Sequence, residues 1–165
     1  MKKFLTLISL TCILLFSAVV DVQAAIRNRQ DMMIAAQKLQ QLQQFDFLSL
    51  VNRNELIGYR LDEFNMSTMQ YKANVTTVLN SLVNISRRMD TVMNSADFSD
   101  TEKQMQMNQL LQEADVAVSD INVKSVTYLM LLKNSMPTIT YSRYVKRFQE
   151  YYNSLDITND DISVR

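Results

Sequence analysis

From Phe47 onward, apolar side chains recur in alternating steps of three and four residues: Leu50, Ile57, Leu61, Phe64, Tyr71, Val75, Val78, Leu82, Ile85, Met89 and Val92, with only Asn54 and Thr68 interrupting. A strand repeats every two residues, so this spacing predicts helix, and a seam of this length must be covered by partner helices. The expected fold class is all-α. The expected architecture is an elongated, coiled-coil-like bundle of three long helices plus a shorter C-terminal helix.

The start of the chain reads differently. Lys2 and Lys3 precede an apolar block from Phe4 to Val20, and Val22 and Ala24 are the small residues that a leader peptidase reads. This pattern predicts a secretory signal peptide cut after Ala24. The block is shorter than the ~20 residues of a spanning helix and carries Thr6, Ser9, Thr11 and Ser17, which argues against an uncleaved anchor. Cys12 lies inside the block behind Thr11, out of place for a lipoprotein signal. The division expected is 1–24 signal peptide, 25–155 helical bundle and 156–165 polar tail. No stable membrane span is expected after cleavage, and the product is expected in the periplasm, on the cell surface or secreted. Its short lysine-bearing start and small-residue cut site favour a bacterial envelope protein.

Cleavage leaves 141 residues and removes the only cysteine, so helix packing rather than disulfides must hold the domain. It leaves fifteen basic and sixteen acidic residues, a balance that attracts neither nucleic acid nor anionic membrane. There is no histidine, one glycine (Gly58) and one proline (Pro137). Without histidine or a retained cysteine, the usual zinc sites and Ser-His or Cys-His nucleophile pairs cannot be built, and one glycine makes no phosphate-cradling loop. Paired carboxylates survive this elimination, but the acids fall mostly on polar helix faces. The chain reads as non-enzymatic and without a cofactor.

Helix by helix, residues 26–50 form a first block with Met33, Ala36, Leu39, Leu42 and Phe45 as its stripe and glutamines around it. That stripe is out of phase with the long seam. A break is therefore expected between Val51 and Tyr59, where Asn52 and Glu55 resemble a capping box and Gly58 weakens a helix. A second helix runs from Tyr59 to Asn94. Ser99 and Glu102 form a capping box that starts a third at Asp100, with Met107, Leu111, Ala114, Val118, Ile121, Ser125, Tyr128 and Leu132 as its seam. The short connection makes helices two and three an antiparallel hairpin, and Pro137 ends the third. The fourth runs from Thr138 to Ser154. The expected core includes Val75, Val78, Leu82, Ile85, Met89, Leu111, Val118, Ile121, Tyr144, Phe148 and Tyr151.

Three features are candidates for contact. Tyrosines beside Arg143, Lys146 and Arg147 on the last helix could meet a partner protein or an anionic group, and these three cations are the expected partner-binding residues. The alternative is that the tyrosines close the core and the cations are solvated. Methionines at 66 and 69, 89 and 93, and 105 and 107 could serve as soft Cu(I) ligands in an oxidising compartment or as adaptable packing. Sequons at Asn65, Asn74 and Asn84 would suit a eukaryotic secreted glycoprotein, at about the frequency chance supplies.

The stretch Met93-Asn94-Ser95-Ala96-Asp97-Phe98-Ser99-Asp100-Thr101-Glu102, the run from Tyr141 to Tyr152 and the ending Ile162-Ser163-Val164-Arg165 resemble the minor pilin family of type IV secretion and conjugation systems, in particular small transfer proteins of bacterial conjugative transposons. The resemblance implies a non-enzymatic exported subunit on a three-helix core. Its partners would be other envelope or secretion-apparatus proteins, with self-association possible and no catalytic residue carried over.

Overall fold

The structure, a computed structural model, describes residues 26 and 28–157, all helix and connecting turn with no strand among them. The expected signal peptide and residues 158–165 of the expected tail lie outside the described residues. Among the described residues four α-helices follow in order: α1 (Arg29–Gln44), α2 (Tyr59–Asn94), α3 (Asp100–Leu132) and α4 (Thr138–Leu155). Two are long rather than three. With 36 and 33 residues, α2 and α3 run roughly 50 Å each, whereas α1 has 16 and α4 has 18.

The α2–α3 hairpin is the frame. Its turn forms where the apolar period lapses: Ser95 Oγ accepts from the Asp97 N–H, and Ser99 and Glu102 complete a reciprocal capping box that starts α3 at Asp100. Lys103 Nζ donates to the Met93 carbonyl and occupies one of the orphaned acceptors ending α2. Along the hairpin Val75, Val78, Leu82, Ile85, Met89 and Val92 of α2 are buried, as are Leu110, Ala114, Val118 and Ile121 of α3. At 3.2 Å from Arg88 Nη2, the Glu113 carboxylate bridges the two helices at the surface.

The two short helices cover this frame in succession. Asn28 caps α1 by accepting from the Asp31 N–H, and Arg29 pairs with Asp90 at 2.7 Å, so α1 starts beside the far half of α2. After a turn in which Ser135 bonds the Leu132 carbonyl, α4 lies against the near half through Tyr144, Phe148 and Tyr152. Pro137 therefore does not end α3, which stops at Leu132; it stands at the N-cap of α4, where its missing amide proton costs nothing. The ends of α1 and α4 overlap where Lys38 Nζ donates to the backbone and carboxylate of Asp156. Asp156 and Ile157, expected in the tail, belong to the packed domain, Ile157 being buried.

The break between α1 and α2 is longer than expected and begins earlier. It spans residues 45–58 and contains two 3-10 turns, Phe47–Leu50 and Arg53–Glu55, so the first residues of the long seam are not α-helical. Asp46 Oδ1 accepts from the Leu48 N–H and Asn52 Oδ1 from the Asn54 N–H, short side-chain bonds that compete with helix. Gly58 leads into α2 with φ +62° and ψ −135°, a combination available essentially to glycine alone. It ends the reversal rather than weakening a helix.

Candidate functional site

Two regions, one buried and one at the surface, differ in chemistry from the rest of the bundle. One is an aromatic knot where the reversal, α2, α3 and α4 meet. Phe47 lies edge-on to Tyr71 and Tyr128, with ring centroids 5.6 and 5.8 Å apart, and Tyr71 stacks on Tyr128 at 4.6 Å. Phe148 touches the same rings, and Phe64 meets Tyr144 edge-on at 5.7 Å. The hydroxyls satisfy one another. Tyr71 bonds Ser125 at 2.6 Å, Tyr128 bonds Tyr144 at 2.7 Å and Thr68 at 3.0 Å, and Tyr152 donates to Asn122 Oδ1 at 2.6 Å. Among the described residues no buried side-chain nitrogen or oxygen lacks a partner. Burial pushes the Tyr128 phenol up to about 12 and raises those of Tyr71, Tyr144 and Tyr152 as well, so the knot is neutral across the physiological range. Thr68 and Ser125, polar positions in the two seams, are the partners of buried tyrosines.

A latch at the edge of the knot ties the reversal to α4. Glu55 accepts from Thr140 Oγ1 at 2.6 Å and from Arg143 Nη2 at 2.8 Å, while Arg147 Nη1 donates to the Leu50 carbonyl at 3.1 Å. The Thr140 hydrogen bond, ahead of the Arg143 charge, holds the Glu55 carboxyl below its ordinary range against the opposing effect of burial. Two of the three expected partner-binding cations are thus engaged within the molecule. All three remain exposed, and Lys146 Nζ lies 3.9 Å from Glu150 one turn on. The residues 45–58 that make this arrangement possible were expected as a simple helix break. Their partners on α4 lie too far along the chain for local patterning to reveal.

The second region is the outer face of α3. Met105, Val116, Val123 and Met130 are exposed by 62–70 % of their full area, and steps of seven separate the last three, which aligns them along the side of the helix turned away from the core. Met66 and Met69, both 72 % exposed, lie on the outer side of α2. These are large apolar side chains in water. Methionines 105 and 107 diverge: Met107 packs on the core and Met105 faces solvent, as positions two apart on a helix must, so the two sulfurs do not converge on one ion. Met89 is buried while Met93 is exposed. Among the described residues no group of three or more histidine, cysteine, aspartate or glutamate side chains is arranged to hold a metal.

Other expected core positions need small corrections of phase. Leu111 and Tyr151 are half-buried, and their neighbours Leu110 and Tyr152 take the buried places, while Val118, Ile121, Tyr144 and Phe148 are buried. On α1 the buried stripe is Met32, Ala35, Leu39 and Leu42, which leaves Met33 exposed and Ala36 half-buried. Tyr151 stacks on Phe45 at 3.7 Å at the rim of the knot. No helix among the described residues is long and apolar enough to cross a membrane. Compared with protein families, curated proteins and solved structures, the chain matches none.

Proposed function

We propose that this protein is a non-enzymatic, exported structural subunit of a bacterial envelope assembly, similar to the minor pilus subunits of type IV secretion and conjugation systems. The observation that carries the reading is the outward stripe of Val116, Val123 and Met130 on α3. Three large apolar side chains aligned at a seven-residue spacing cost solubility and contribute nothing to the monomer's core, and they suit a helix that packs against a neighbouring subunit. In this role the hairpin is an elongated spacer, α1 and α4 are its cladding, and the aromatic knot keeps the end stiff. Tyr144 and Phe148 close the core as expected, with Tyr152 in the place expected of Tyr151, which leaves the outer faces for partners.

The test replaces Val116, Val123 and Met130 together with glutamate. The variant should keep its helix content and its melting temperature, because all three side chains already face water. It should fail to co-purify with other envelope proteins from the native host, and its strain should lose pilus assembly or DNA transfer while growing normally. A triple variant that assembles like the parent would rule the reading out.

A further inference from the structure

The outer face of α3 is longer and more regular than its apolar members alone. Glu102, Gln109, Val116, Val123 and Met130 recur every seven residues, and Met105, Gln112, Ser119, Val126 and Lys133 each follow three residues later. All are exposed except Val126, which is half-buried. Alternating steps of three and four make the seam of a two-helix coiled coil, and this one lies opposite the buried seam of the same helix. From Glu102 to Lys133 it is roughly 47 Å long. Its only charges stand at its two ends, an acid at one and a base at the other. Near the acidic end a shallow hollow of about 460 Å³ is lined by Thr101, Gln104, Met105, Asn108, Gln109 and Gln112.

We propose that this stripe binds the same stripe of a second copy of the chain, the two α3 helices running antiparallel about a two-fold axis between Val116 and Ser119. The inference rests on the reading of α3 as a contact face between subunits, and it names the neighbour. In this register Met130 of one copy packs on Met105 of the other and enters the hollow, Gln112 meets Val123, Val116 meets Ser119, and Glu102 meets Lys133. Each contact occurs twice, because a two-fold interface is self-complementary. The end charges select the antiparallel direction: parallel pairing sets Glu102 against Glu102 and Lys133 against Lys133. The uncharged middle adds no like-charge repulsion. On one flank Glu113 and Asp120 of opposite copies approach each other, and each already has a cation in its own copy, Arg88 for Glu113 and Lys124 at 3.0 Å for Asp120.

The protein purified from its host, with Cys12→Ser to remove its own thiol, carries Met105→Cys, Met130→Cys or both and is oxidised at micromolar concentration. In the antiparallel dimer the two copies of residue 105 lie about 38 Å apart, as do those of residue 130, far beyond the reach of a disulfide. Neither single variant should cross-link, whereas the double variant should run as a disulfide-linked dimer on a non-reducing gel. Dimers from either single variant would show parallel pairing, and a ladder from the double variant would show an open chain of copies; each overturns the proposal. Sedimentation equilibrium at low salt reads the end charges. Lys133→Glu should raise the dimer dissociation constant about tenfold through two symmetry-related contacts, and by no more than about threefold beside Glu102→Gln, which keeps a capping side chain. An effect undiminished by E102Q overturns the register, and a monomer throughout overturns the pairing. The two readings fail separately. A monomer whose triple glutamate variant loses its envelope proteins defeats self-pairing and leaves the subunit reading with a different neighbour, whereas a dimer cross-linked as expected whose triple variant still assembles defeats the envelope reading alone.

Discussion

The two halves of the α2–α3 hairpin are built by different means. The far half, from Val75 to Val92 against Leu110 to Ile121, is filled by aliphatic side chains and one methionine and is closed by α1. The near half is filled by Phe47, Phe64, Tyr71, Tyr128, Tyr144 and Phe148, and its buried hydroxyls are paired across α2, α3 and α4. Aliphatic packing is non-directional and accepts any side chain of the right volume. Paired phenols add direction. A ring that slips by a helical turn leaves two buried oxygens unmatched, at about 1–3 kcal/mol each. The far half therefore supplies burial, and the near half decides how α4 and the reversal are seated.

The contrast can be broken most forcefully at Phe148, which is fully buried and contacts the rings of Phe47, Tyr71, Tyr128, Tyr144 and Tyr152. Phe148→Ala should cost about 3–5 kcal/mol in denaturant unfolding and loosen α4 and the reversal together. Retained near-ultraviolet tyrosine signals in the variant would argue against the knot as a unit.

Tyr128→Phe sharpens the comparison, because it removes one oxygen and keeps the ring. It should cost about 1–3 kcal/mol by leaving Thr68 and Tyr144 without a partner, and it should change the response to alkali. An unfolded tyrosine ionises near 10, whereas Tyr128 in the fold holds its proton to about 12, so the unfolded chain loses protons first. The stability this phenol contributes is complete below pH 10 and falls away as the pH rises through 12. Tyr71 and Tyr144, also raised, add to the same loss. A pH titration of urea midpoints should fall over this window in the parent and less steeply in the variant.

The smallest effect is expected in the far half. Leu82→Met conserves volume in a seam without polar partners and should cost less than about 1.5 kcal/mol. A loss as large as that of Phe148→Ala would mean that the aliphatic half is as shape-selective as the aromatic one.

Much of this architecture is legible in the sequence. The limits of α2, the capping box and the start of α4 follow from spacing and turn chemistry and agree with the structure. The errors of phase have one physical cause. At Met32-Met33, Ala35-Ala36, Leu110-Leu111 and Tyr151-Tyr152 two similar side chains stand side by side, and steps of three or four are satisfied by either. Only a neighbouring helix chooses between them. The knot and the latch were hidden for another reason: Glu55 meets Thr140 and Arg143 across 85 and 88 residues, and no local pattern announces such a meeting. The outward stripe on α3 was visible as residues but not as a surface, because its exposure depends on where α1 and α4 settle.

The same latch makes the reversal dependent on a part of the chain synthesised much later. The α2–α3 hairpin closes through neighbours in sequence and needs only its own turn, whereas Leu50 is held by Arg147 across 97 residues. A chain emerging N-terminus first thus has both long helices available while Phe47, almost wholly buried in the finished fold, still lacks Phe148 of α4 as cover. During that interval the segment before Gly58 is the part most open to a protease or a chaperone, and arrival of the eighteen-residue α4 ends it.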